Sequence, residues 1–171
     1  EPDNVEAREV AAAFYIRSGQ YDQAQKQLEA LLTINAKEGS RSTFMLIAGL
    51  LGRQQDKQAA LEVMQHLVKV RPDDSNAQLA LSHLAVRAGA LDQAEQAAKR
   101  AVELQPDRLD AQIQEARVLT MRGKSDEAVA LLKKAVKKHP KDADLRTAYA
   151  KLLVDAQQMD KAYEQFKQVD T

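Results

Sequence analysis

The chain has 171 residues, no cysteine, 29 alanines and few aromatics, and its 25 basic side chains balance 25 acidic ones to give zero formal charge. Without cysteine there is no disulfide framework, zinc ribbon or thiol catalysis. Without a basic excess nucleic acid is not expected as the main ligand, because Lys and Arg contacts to phosphate supply most of that affinity.

In chain order, residues 1–4 read as the end of a preceding unit, and from Val5 onward one pattern recurs over residues 5–38, 41–74, 75–108, 109–142 and, incompletely, 143–171. A small residue near the start of the second half of each unit marks the register: Ala24, Ala60, Ala94, Ala128 and Ala162, in steps of 36, 34, 34 and 34. The longer first step comes from the insertion of Gly39 and Ser40. Each unit predicts two amphipathic helices and a turn. In 75–108, the clearest unit, Leu79, Leu81, Leu84, Ala85 and Ala88 recur at three- and four-residue steps, the spacing of one helical face. Gly89 stops that helix, because glycine enters the left-handed region cheaply. Asp92 is expected to cap the next helix, whose stripe is Ala94, Ala97, Ala98, Ala101 and Leu104, and Pro106 ends it. Gly19 and Gly123 occupy the same turn position, whereas Gln55 and Gln157 depart from it. No bounded run alternates polar and β-branched residues, so no strand competes.

Little in the chain suggests chemistry. His66, His83 and His139 lie on three different predicted helices with no second histidine to form a ligand set, so no metal is expected. There is no phosphate-binding glycine loop, nucleophile elbow or His-Glu-x-x-His. Ser82 and His83 are adjacent on a helix and point about 100° apart, which prevents a nucleophile and base pair. Small side chains also leave little room for a cofactor within a helix stack, and neither a cofactor nor an enzyme activity is expected. The basic run Lys133, Lys134, Lys137, Lys138, His139 and Lys141 near a helix C-terminus suits the helix dipole and reads as a solvated face.

Leu81, Gly89, Leu91, Asp92, Ala94, Ala98, Ala101 and Pro106 resemble the signature of the tetratricopeptide repeat (TPR), a 34-residue helix-turn-helix. The resemblance covers nearly the whole chain. It implies an all-α, right-handed superhelix of about five repeats that binds a protein or peptide through a concave groove. In that family the second, fifth, ninth, twelfth and thirteenth positions of each first helix face the groove. Carried over, these positions give Ile16 and Arg17 in the first repeat, Met45 and Arg53 in the second, and Leu79, His83 and Arg87 in the third. The fourth contributes Ile113, Arg117, Thr120 and Met121, and the fifth Lys151, Val154 and Asp155. Met45, Leu79 and Ile113 form an apolar row, expected to be exposed and flanked by Ile16, Val86 and Met121. Arg17, Arg53 and Arg87 form a cationic row, with Arg117 and Lys151 one helical turn nearer the start of their helices. Such a pairing suits a polypeptide that buries alternate side chains while its carbonyls or carboxylates meet guanidinium groups. Cations there also satisfy terminal carbonyls without any ligand.

The clamp by which co-chaperones of this family hold a C-terminal carboxylate does not fit, since its positions carry Glu9 and Ala13, Leu46, and Asn76 and Ala80. The alanine- and glutamine-rich helices are also similar to repeat arrays of proteobacterial envelope lipoproteins, which points to the periplasm or envelope rather than the cytoplasm and to an assembly or protease-adaptor role. Direct membrane insertion is not expected. The alternatives are a structural spacer or self-association segment, or a regulatory region of a larger enzyme. Met159, Tyr163 and Phe166 on the last helix lack a following repeat to cover them, so the chain is expected to be an interior piece of a longer array and to associate end to end through Tyr163 and Phe166.

Overall fold

Helical periodicity and turn residues at regular intervals fold into short paired helices. A computed structural model describes residues 4–34, 49 and 57–169, and the expectations for Met45 and Arg53 fall outside these residues. The described helices are α1 (Val5–Arg17), α2 (Tyr21–Ile34), α3 (Lys57–Val70), α4 (Ser75–Ala88), α5 (Leu91–Leu104), α6 (Leu109–Met121), α7 (Ser125–Lys138), α8 (Ala143–Asp155) and α9 (Met159–Lys167). Among the described residues there is no strand, and no helix is long and apolar enough to cross a membrane. The chain divides into two compact units, Glu1–Ala88 and Gly89–Thr171, with the boundary in the turn of the third repeat.

In the first unit α1 packs against α2 and α3 against α4. Ala12, Ile16, Ala24 and Leu31 form a core against which Val5, Tyr15 and Val63 pack. Ile16 is 8% exposed and Leu79 6% exposed, so neither is an exposed groove residue as expected from its repeat position. Ile16 belongs to the α1–α2 core. Leu79 lies on a helix buried over a wide arc, since α4 also buries Ser75, Ala77, Gln78, Leu81, Ser82 and Ala85.

In the second unit each helix packs on the next from α5 to α9, and α6 also reaches α8. The core joins Ala116, Leu119, Leu132, Val136, Leu145, Tyr149 and Leu153, with Ala162 closing its end. The five register alanines, Ala24, Ala60, Ala94, Ala128 and Ala162, are all at most 2% exposed. That burial explains why the position is small: packed interiors have no spare volume, and an added methylene there forces neighbouring backbones apart.

The turns are left-handed at one residue each: φ is +75° at Gly19, +78° at Gly89, +77° at Gly123 and +59° at Gln157. The backbone therefore keeps the glycine conformation in the last repeat even where the residue is glutamine. Asp92 does not cap α5. The N-cap is Ala90, which makes no side-chain cap hydrogen bond. Asp92 lies inside the first turn, where its charge suits the helix dipole, and it pairs with Arg122. True side-chain caps occur at Asn4, whose Oδ1 accepts from Ala7 N at 3.0 Å, and at Asp142, whose Oδ1 accepts from Leu145 N at 2.7 Å.

The fourth position of α4, α6 and α8 carries a polar side chain that reaches back to the preceding proline. Gln78 donates to the Pro72 carbonyl, Gln112 to that of Pro106 and Arg146 to that of Pro140. Each satisfies an inter-repeat carbonyl that helix packing would otherwise strand. Ionic contacts also link neighbouring repeats. Glu95 on α5 accepts from Arg122 Nε and from Lys124 Nζ, both at 2.7 Å, and Lys138 pairs with Asp107.

Candidate functional site

The second unit holds a groove of about 460 Å³ between α6 and α8. Its position follows from the packing: α7 lies against both helices, so their facing surfaces flank a cleft whose floor includes Leu132 of α7. Ala116 and Leu152 complete the buried part of the lining, with Ile113 and Ala148 half-buried. Met121 is 47% exposed at one end. Met121 lies outside the core that Ile113, Ala116, Leu132, Ala148 and Leu152 join or pack against, so core packing does not account for this exposed apolar side chain.

Arg117 and Lys151 occupy the same position of successive repeats, and both line this groove together with Thr120 and Asp155, which lie one helical turn further on at adjacent repeat positions. Neither Arg117 nor Lys151 enters an ion pair among the described residues, in contrast to Arg122, Lys124 and Lys138, which all meet carboxylates. Thr120 Oγ1 donates to the Ala116 carbonyl at 2.9 Å. Its hydroxyl hydrogen is thereby used, and toward the groove it can only accept. The polar inventory is thus two cationic donors in the middle, then one hydroxyl acceptor and one carboxylate acceptor toward the C-terminal ends of the helices.

Four of the residues expected in a binding groove, Ile113, Arg117, Met121 and Lys151, are therefore brought together. Arg17, His83 and Arg87 are exposed on α1 and α4 in the first unit, Arg17 and Arg87 each in the last turn of its helix. Ala116, Leu132, Ala148 and Leu152 were missed. The rule applied to the sequence selected five positions of first helices only, and Leu132 comes from a second helix. Its apolar character at a repeat position also filled by Ala98 and Phe166 was the available signal.

A second recess of about 380 Å³ lies among α7, α8 and α9, lined in part by Lys133, Tyr149, Gln158 and Glu164. Burial pushes the Tyr149 hydroxyl above its usual range, which keeps it neutral. Among the described residues no group of three or more His, Asp or Glu side chains is placed to hold a metal ion.

Tetratricopeptide-repeat profiles match residues 5–38, 45–108 and 119–170. Among solved structures, a Podosopora anserina protein with nearly identical TPR-like repeats is similar at a TM-score of 0.81 and 22% identity, over 99% of this chain and 95% of that one. MamA is similar at 0.78 and 16% identity, over 96% and 89%. YrrB, described as a TPR protein with an unusual peptide-binding site, is similar at 0.73 and 15% identity, over 98% and 85%. No curated protein sequence matches the chain. With three profiles spanning most of its length and an all-α series of paired helices, the chain belongs to the tetratricopeptide repeat family.

Proposed function

We propose that the chain is a protein-interaction scaffold that holds an extended polypeptide in the groove between α6 and α8. The observation that carries this reading is a concave apolar floor edged by two cations, Arg117 and Lys151, that enter no ion pair among the described residues. The peptide-binding site named for YrrB supports it by analogy of fold. The finer reading, an adaptor of the bacterial envelope that presents substrates to a processing protease or assists assembly, rests on the alanine- and glutamine-rich character of the helices.

The test is a pull-down with the wild-type chain beside a Met121→Glu, Lys151→Glu variant, read by mass spectrometry, with circular dichroism to check that helicity is kept. Both positions are exposed, so the double change leaves the core intact. A partner captured by the wild type alone supports the groove. An identical set captured by both removes it.

A second reading is favoured by one specific feature. Met159, Tyr163 and Phe166 are exposed on α9, although Leu132 and Ala98, which share Phe166's repeat position, are buried. Self-association through that face predicts a mass that rises with concentration in light scattering and falls back with Tyr163→Glu and Phe166→Glu.

A further inference from the structure

The order of polar groups along the α6–α8 groove carries information about the occupant's chemistry. Arg117 and Lys151 hold the middle, and Asp155 and Thr120 lie one turn toward the helix C-termini, roughly 5–6 Å away along a helix surface. Apolar lining continues on both sides of the cations, with Ile113 nearer the helix N-termini and Met121 nearer the C-termini.

Resting on the peptide-groove reading above, we propose that the groove selects an internal segment of a partner in which an acidic side chain stands next to a large apolar one. The carboxylate meets Arg117 and Lys151, which enter no ion pair among the described residues, and the apolar side chain enters the floor. Asp155 and Thr120, as acceptors, take backbone N–H groups of the chain on one side of the acidic residue. Apolar surface beyond the cations in both directions is what distinguishes an internal segment from a chain end, because a segment terminating at the cations would leave one half of the floor wet.

The probes are end-blocked, fluorescently labelled heptapeptides of Gly and Ser with a central Leu-Glu, Leu-Gln or Leu-Lys pair, and a Leu-Gln peptide with a free C-terminal carboxylate. Binding is followed by anisotropy at low and high salt. The Leu-Glu peptide is expected to bind about tenfold more tightly than Leu-Gln, the size of a lost charge-assisted hydrogen bond, with Leu-Lys weakest and the preference shrinking in salt. Arg117→Glu with Lys151→Glu is expected to reverse the order in favour of Leu-Lys. Equal binding of Leu-Glu and Leu-Gln, both lost in Met121→Glu, overturns the acidic selectivity and leaves the groove standing. Binding that Met121→Glu does not alter, or no binding of any probe, overturns the groove as well. Tightest binding by the free-carboxylate peptide overturns the internal-segment assignment in favour of a chain terminus.

Discussion

The Arg146 guanidinium on α8 donates to the side-chain oxygen of Gln165 on α9 at 2.9 Å, and Arg8 on α1 donates to Gln27 on α2 at 3.1 Å, the same pair of repeat positions. Arg146 is 8% exposed and also donates to Gln168 at 2.7 Å and to the Pro140 carbonyl. A nearly buried cation is thus held by neutral acceptors. In the two repeats before it the same position is Gln78 and Gln112, which among the described residues make the proline contact alone.

Arg146→Gln is therefore expected to keep the contact to Pro140 and lose those to α9, at a cost of about 2 kcal/mol. Arg146→Leu loses all three and costs more. Native-state hydrogen exchange of the α9 amides reads the effect directly, and protection in α5 and α6 is expected to stay as in the wild type.

Gln157 holds a turn in the left-handed region at φ +59°, where a side chain crowds its own carbonyl. Gln157→Gly is expected to stabilise the chain by about 1 kcal/mol, and Gly123→Ala, at φ +77°, to destabilise it by a similar amount. Urea melts of the two variants beside the wild type test both signs.

Burial holds the Glu115 carboxyl above the usual carboxylate range, opposed by Lys99 and reinforced by Glu103 and Glu95. Because the folded state then binds this proton more tightly than the unfolded state, stability is lost as pH rises from the ordinary carboxylate value through the raised one. Glu115→Gln is expected to raise the melting temperature at neutral pH and to match the wild type near about pH 3, where both carry a neutral side chain. An advantage that persisted unchanged at low pH would assign the gain to packing instead.

Glu95 accepts from both Arg122 and Lys124, which ties α5 to the turn after α6. Removing the shared negative charge with Glu95→Gln is expected to lower stability more at low ionic strength than in about 1 M salt, because exposed parts of such a network are screened. Guanidinium is unsuitable for this comparison, being a salt itself, so the melts are thermal.

The 34-residue recurrence of a small residue, from Ala60 to Ala162, determined the helix pairs, the turns and the family, because helical spacing and turn chemistry are local and written in consecutive residues. The positions carried over from the family resemblance include Ile113, Arg117, Met121 and Lys151, and packing of α6 and α8 on α7 puts these four along one groove. What the local pattern could not supply was the extent of covering. Leu79 and Ile113 occupy the same repeat position, yet one is buried and the other is half-buried beside a groove, because exposure is set by tertiary neighbours that the local pattern does not contain. The same holds for charge: Asp92 lies near a helix start in sequence, and only packing of successive repeats brought Arg122 to it. Periodicity names the faces of a helix, and tertiary packing decides which of them meets water.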